Sequence, residues 1–329
     1  MGISSALGSS ALLPAGLGFR NVLINGDFKV WQRGTSKAMA VGAGTGFIAD
    51  RWTAARAGYA AGGTVSRQTA SLDGFQYCSR VQRNSGNTST AVNYYFQTLE
   101  SVTSIPLANK PVVYSFYIRA GANFSGSVTA KLYSGTATDQ VNYPDGGITG
   151  SATVITSTLS LTTSWQRVVL YGNVGTSATQ LFAGFEWTPS GTAGAADYYE
   201  ITGVQLEQNY QPTPFEQRPI GVELALCQRY YYRTGGTVAG DITIIGYQPA
   251  STSIYATFFH LVEMRTTPSL AQKVGTWSVL NTSTQPVINA ASKNSYSIYS
   301  TVNPGITNAN QSGAQTANSG TYLEFSAEL

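Results

Sequence analysis

From Phe19 to about Phe215, apolar side chains recur at every second position, the period of a half-buried strand. Val112, Tyr114, Phe116 and Ile118 alternate with Val113, Ser115, Tyr117 and Arg119. Val128, Ala130 and Leu132 form another strand, Trp165, Val169 and Tyr171 share the parity of a third, and Leu181, Ala183, Phe185 and Trp187 make a fourth. Between Tyr198 and Leu206 the apolar parity shifts from Tyr199 and Ile201 to Val204 and Leu206. A β-bulge at Gly203 is expected to bring both halves onto one face. Turn sequences such as Asn109-Lys-Pro, Pro144-Asp-Gly-Gly and Pro189-Ser-Gly separate the strands, and no helical period intervenes. This spacing predicts an antiparallel sandwich.

The period changes once. Pro212 and Pro214 forbid a continuing central strand, because proline has no amide hydrogen for the ladder. Pro219 suits the first turn of a helix, where the missing donor has no partner in any case. A helix is predicted from Pro219 to Tyr231, with Ile220, Leu224, Cys227 and Tyr231 on one apolar stripe and Val222, Leu226 and Tyr230 on a second. A helix apolar over so much of its surface wants burial on several sides, by its own domains or by copies of itself. Beyond Thr234, strands are predicted at Asp241-Ile-Thr-Ile-Ile-Gly, from Ser253 to Val262, from Gly275 to Leu280 and from Tyr322 to Leu329. Residues 281–319, dominated by Ser, Thr, Asn, Gln and Ala, are expected on the surface. The chain therefore divides into a tail (1–18), a β-sandwich (19–215), a hinge and helix (216–233) and a second, smaller β-sandwich domain (234–329), an all-β protein with one helix.

Composition narrows the function. With 329 residues, 35 of them glycine, and only 11% charged side chains, the chain is a turn-rich β protein long enough for two cores. Lys and Arg are nowhere clustered, which argues against nucleic acid as a partner. No stretch reaches the ~18 apolar residues of a membrane-spanning helix, so no membrane insertion is expected. Met1 to Gly18 lacks the charged start of a signal peptide, and Gly, Ser and Pro break its apolar core; a tail that orders on a partner is expected. Cys78 and Cys227 are too few for a disulfide framework and read as plain buried residues.

Little in the chain carries reaction chemistry. The sole histidine, His260, lies in an apolar strand sequence, and no Gly-x-Ser-x-Gly elbow precedes a helix. His and Cys are too few for a transition-metal site. The 16 acidic residues are scattered: Asp50-Arg51 reads as a local ion pair, Asp145 as a turn former and Glu216 as a hinge contact to Arg218. Gly62-Gly63 sits in a loop and makes no phosphate cradle. No enzyme is expected. What remains is recognition by aromatic faces and amides, the chemistry of sugar binding, for which 20 tyrosines are available. The candidates outside clear core positions are Tyr94, Tyr95, Tyr143 with Asp145, and Trp277, whereas Trp31, Trp52, Trp165 and Trp187 are expected in the core.

Three stretches carry a resemblance. Thr213-Pro-Phe-Glu-Gln-Arg-Pro-Ile-Gly-Val-Glu-Leu-Ala-Leu-Cys-Gln-Arg-Tyr-Tyr resembles the junction of many bacteriophage tail-fibre and virion structural proteins. Asn21-Val-Leu-Ile-Asn-Gly-Asp-Phe-Lys-Val-Trp-Gln-Arg-Gly, followed by Ala49-Asp-Arg-Trp, resembles the first strands of a jelly-roll module in those proteins, and Glu263-Met-Arg-Thr-Thr-Pro-Ser resembles part of their C-terminal domain. Tyr114-Ser-Phe-Tyr-Ile-Arg-Ala and Thr163-Ser-Trp-Gln-Arg-Val-Val are similar to core strands of carbohydrate-binding jelly rolls.

The resemblance implies a virion protein assembled in the host cytoplasm, most simply a homotrimeric tail fibre or receptor-binding protein. Residues 1–18 would dock on other virion proteins, the stripe Ile220, Leu224, Cys227 and Tyr231 would lie at the oligomer interface, and host cell-surface polysaccharide would be the ligand. Asp27 and Glu200 resemble positions at which such jelly rolls hold a structural calcium ion; no other cofactor is implied. Two further readings stand beside it, a head-decoration or neck protein without a receptor and a glycan depolymerase with acids converging in a cleft.

Overall fold

The computed structural model describes residues 19–39, 46–59, 61–140, 147–240, 243–245, 247–250, 253–280, 282, 284–303, 313–316 and 320–329. The proposed docking tail, Tyr143 and Asp145 lie outside the described residues. The first block holds β1 (Ser36–Met39), β2 (Gly46–Phe47), β3 (Thr53–Arg56), β4 (Gly63–Leu72), β5 (Phe75–Arg83), β6 (Asn93–Thr98), a helical turn α1 (Ser101–Ser104), β7 (Pro111–Ala120), β8 (Ser127–Gly135), β9 (Ala152–Leu159), β10 (Gln166–Asn173), β11 (Gln180–Thr188) and β12 (Tyr198–Gln208). After helix α2 (Ile220–Gln228) come β13 (Tyr231–Gly235), β14 (Thr243–Ile245), β15 (Tyr247–Ala250), β16 (Ser253–Phe259), β17 (Leu270–Val274), β18 (Trp277–Leu280), β19 (Val287–Ala291), β20 (Ser295–Thr301), β21 (Gly313–Thr316) and β22 (Tyr322–Ser326).

Alternation builds the jelly roll. One six-stranded antiparallel sheet runs β1-β4-β5-β12-β7-β10 and the other β2-β3-β6-β11-β8-β9. Their facing sides interleave Val112, Tyr114, Phe116 and Ile118 with Leu181, Ala183, Phe185 and Trp187, all essentially inaccessible to solvent. Phe116 meets Phe185 edge-on at 4.8 Å and Trp187 meets Tyr199 edge-on at 5.8 Å, the geometry that ring quadrupoles favour. The bulge at Gly203 is present: its φ is +61°, and the β12–β7 register shifts between Thr202 and Gln205. Tyr199, Ile201, Val204 and Leu206 are thereby all buried in one core. Both cysteines are buried and unpaired.

Three expectations are corrected. In β10 it is Val168 and Leu170 that pack on the core; Trp165, Val169 and Tyr171 share the opposite face, and Tyr171 is exposed. The helix stops at Gln228, and Tyr231 opens β13, where it pairs with Ser326 of β22. Residues 281–319 are not all surface, because Tyr296 and Ile298 of β20 point into the second core with Trp277, Leu323 and Phe325. The alternation Tyr-Ser-Ile-Tyr was masked by the polar residues around it. The second block is made of small antiparallel sheets, β13-β22-β17, β14-β21-β18 and β15-β16-β20-β19. No helix among the described residues is long and apolar enough to cross a membrane.

An ionic seam joins the blocks. Glu216 accepts the backbone N–H groups of Phe19 and Asn21, Arg218 donates to the carbonyls of Asn21 and Leu23, and Glu223 of α2 accepts the N–H of Asn25. The Glu216–Arg218 contact read from the sequence is present at 3.3 Å. Asp50 and Arg51, in contrast, do not pair with each other. Asp50 is bound by Arg33 at 3.3 Å, and Arg51, with φ +71°, turns to Glu328 near the end of the chain and donates to the Thr98 carbonyl. Arg33 also reaches Glu328 at 3.2 Å. The two guanidiniums lie 3.5 Å above the rings of Tyr231 and Tyr230, so each charge leaving water gains a carboxylate and an aromatic face. Arg265 closes the seam by donating its backbone N–H to the Arg229 carbonyl and its guanidinium to the carbonyls of Ala327 and Glu328.

Removing one member of a buried pair strands the other charge, which costs about 3–5 kcal/mol. Glu328→Ala is expected to lower the urea-unfolding free energy by that order, and an unchanged midpoint would contradict the seam's role. Burial raises Asp50 from 3.8 to about 6 against the opposing pull of Arg33. The folded chain then holds a proton that the unfolded chain has released, so stability falls as pH rises from about 4 to 6. Asp50→Asn is expected to flatten that part of the Tm–pH curve; parallel curves for variant and wild type would refute it.

Candidate glycan-binding face

Strand alternation sends every second residue of β6, β11 and β8 away from the core. Tyr94, Glu186 and Thr129 share one cross-strand row, and Phe96, Gly184 and Lys131 share the next. Tyr133 pairs with Phe182 one row further on. Lys131 Nζ binds Glu186 Oε2 at 3.0 Å and donates to the Tyr133 hydroxyl at 2.7 Å, and that hydroxyl donates to Glu186 Oε1 at 3.2 Å. The Lys131 ammonium also sits 5.2 Å from the centre of the Tyr133 ring, and the Phe96 ring stacks on Tyr133 at 6.4 Å. Burial works against the Lys131 charge, but the hydrogen bonds to Tyr133 and Glu186 outweigh it and raise its pKa. Burial also raises the Tyr94 hydroxyl, with Glu186 and Tyr133 adding to the effect, so it stays protonated and able to donate.

Gly184 makes the patch flat. A Cβ there would meet the Tyr95 carbonyl oxygen and stand 2.6 Å from Cγ of Phe96. The absence of a side chain lets the Phe96 ring lie across the strand. The result is a half-buried surface with two tyrosine rings, a carboxylate and an ammonium. Such a surface can stack on the apolar face of a sugar ring while accepting from and donating to its hydroxyls.

The predicted residues separate. Tyr94 belongs to this face, but Tyr95 points the other way, is fully buried between Phe28 and Trp52, and its hydroxyl accepts from Ser79 Oγ at 2.9 Å. It is a core residue. Trp277 is likewise buried in the second core. Phe96, Lys131, Tyr133 and Glu186 were not singled out from the sequence, and only the pairing of β8, β11 and β6 brings them together.

The opposite sheet offers rings of a different kind. Glu200, fully buried, holds Arg80 at 2.6 Å through one oxygen and Arg119 at 2.6 Å through the other. Arg80 lies 3.9 Å over Tyr198 and Arg119 4.8 Å over Trp165, whose Nε1 donates to the Ala70 carbonyl. Trp165 is therefore an arginine-covered surface residue and not part of the core. Both Glu200 oxygens are engaged by guanidiniums, and Asp27, the other acid of the expected calcium site, pairs with Lys29 at 2.5 Å. Among the described residues no group of three His, Cys, Asp or Glu is placed to hold a metal. The helix stripe also splits: Cys227 and Tyr231 are buried within the chain, Leu224 is half-buried and Ile220 is exposed. Cys227 and Tyr231 are thus unavailable to a second copy.

Solved structures with similar sandwiches were found. The enzymatically active domain of tailspike protein 4 from bacteriophage CBA120 is 13% identical with a TM-score of 0.36, over 58% of this chain and 22% of that one. The C-terminal family 22 carbohydrate-binding module of Clostridium thermocellum Xyn10B is 13% identical with a TM-score of 0.34, over 56% of this chain and 99% of the module. TmCBM61, solved with β-1,4-galactotriose, is 13% identical with a TM-score of 0.35, over 58% of this chain and 100% of the module. The chain spans 22% of the length of that tailspike domain. No family model matches it, and no curated relative does. These are loose likenesses between β-sandwiches, and the jelly-roll description stands on strand order and register.

Gly184→Ala is expected to push Phe96 off the strand and destabilise the sandwich by about 1–3 kcal/mol. A thermal melt indistinguishable from wild type would show that the ring has room.

Proposed function

We propose that this protein is a non-enzymatic bacteriophage virion protein, a homotrimeric tail fibre or receptor-binding protein that holds host surface polysaccharide on the outer face of β6, β11 and β8. The observation that carries the reading is the Tyr94–Lys131–Tyr133–Glu186 cluster, in which rings and opposite charges share one half-buried sheet face beside the buried Phe96 and Phe182. The phage assignment is supported by the sequence motifs around Asn21, Thr213 and Glu263. The trimer is supported by α2, whose exposed Ile220 and half-buried Val222, Leu224 and Leu226 leave an apolar flank for another copy. A hydrolase is disfavoured because Glu186 is tied to a lysine and a tyrosine, whereas glycoside hydrolysis uses two facing carboxyl groups.

The test is affinity electrophoresis of the full chain in gels containing bacterial lipopolysaccharide or capsular polysaccharide. Retardation is expected for the wild type and should weaken about tenfold, the equivalent of ~1.4 kcal/mol, in Tyr94→Ala and Tyr133→Ala. Retardation that both variants retain in full would place the ligand elsewhere. Light scattering gives the second readout: three chain masses are expected, and a monomer would remove the fibre.

A further inference from the structure

The C-terminal block carries a second surface whose chemistry differs from that of the jelly roll. In the sheet β15-β16-β20-β19, Tyr255 of β16 stands opposite Tyr299 of β20, which in turn stands opposite Val287 of β19. The two tyrosine rings stack at 5.9 Å with planes 24° apart. The next row holds Thr257, Ser297 and Ala290, and the row after it Phe259 and Ser295. Asn289 donates its amide to Ser297 Oγ at 3.3 Å. Inward positions of the same strands, Ile254, Tyr296 and Ile298, are buried, so the outward set is free of any part in the core. Phe259 is 76% exposed and Tyr255 38%. A shallow depression of about 120 Å³ lies on β16, β19, β20 and the turn before β20, lined by Thr257, Ala290, Ala291, Ser292, Ser295 and Ser297.

The geometry points to a glycan-binding platform on this face, selective for a neutral polysaccharide. Tyr255 and Phe259 are four residues apart on one strand, about 13 Å, which spans an oligosaccharide and not a single ring. Aromatic groups mark both ends of that span, and hydroxyl and amide groups fill its middle. None of β16, β19 and β20 contains Lys, Arg, Asp or Glu, so the strands offer a uronate or phosphate no counter-charge, and the exposed Lys293 stands in the turn beside Ser292 at the rim of the face. A second copy of the chain fits less well. The centre of the face is Thr257, Ser297 and Ala290, and Ser and Ala are depleted from protein–protein interface cores. The same small hydroxyl groups are the partners that sugar hydroxyls need. This site is distinct from the charged Lys131–Glu186 face and does not depend on it.

The experiment uses the full chain in native gels containing soluble xylan, galactan, mannan or β-glucan. To separate the two faces, the Tyr94→Ala, Tyr133→Ala double variant is run beside Tyr255→Ala and Phe259→Ser, each checked for folding by circular dichroism. Phe259 is exposed enough that its replacement leaves the core intact, which guards against loss of fold in the Tyr255 variant. Retardation by at least one neutral polysaccharide is expected in wild type and in the double variant, with about tenfold weakening in Phe259→Ser and Tyr255→Ala. Retardation by none of the four, or retardation lost with Tyr94 and Tyr133 but kept with Phe259 and Tyr255 replaced, overturns the proposal. A light-scattering mass that falls on Tyr255→Ala also overturns it, because the face is then covered by another copy.

Discussion

Arg51 is the residue on which the arrangement turns. It is buried, holds φ at +71°, and reaches across from the jelly roll to Glu328 at the far end of the sequence. A non-glycine residue in the left-handed region is costly, and here the surroundings hold it through both terminal guanidinium nitrogens. Tyr230 lies beneath the guanidinium, Thr98 accepts from it, and Glu328 neutralises it while also holding Arg33. A positive φ points the side chain toward the second block and away from Asp50, its neighbour in sequence. Asp50 is left to Arg33, so two acids and two arginines form one alternating chain of charge.

Three stretches far apart in sequence supply this seam. Asn21 to Trp52 supplies Asn21, Asn25, Asp50 and Arg51; the junction supplies Glu216, Arg218, Glu223, Arg229 and Tyr230; the stretch after Glu263 supplies Arg265. Every one of these touches another of the set or the seam they build. Their chemistry is that of assembly, since each carboxylate is spent on an arginine or a backbone amide. The proposed ligand recognition uses the sheet faces, where strand alternation presents side chains that the seam does not use.

That division set what the sequence could reveal. Strand periods identified the sandwich, and the parity change at Gly203 located a bulge, because a core residue on the wrong face is a strong signal. Around Tyr94 the period is silent: Asn93-Tyr-Tyr-Phe offers rings on both faces, and only the pairing of Tyr95 with Phe185 decides which one is buried. Trp165 misled for a related reason. Its strand has apolar residues at both parities, and an arginine lid can bury a ring as well as a core can. Lys131 and Glu186 are separated by more than fifty positions and look like ordinary outward strand residues until β8 and β11 pair. Asp50-Arg51 illustrates the limit of local reading, because adjacency in sequence does not set direction when φ is positive.

The central claim is that recognition resides on the outer face of β6, β11 and β8. A crystal structure of the full chain soaked with oligosaccharides released from a retarding polysaccharide tests it most directly. Sugar density stacked on Tyr94 or Tyr133, with a hydroxyl within hydrogen-bond reach of Glu186, is the result this account predicts. Density confined to the Arg80–Glu200–Arg119 face, or Tyr94 and Tyr133 covered by a neighbouring subunit of the oligomer, would contradict it.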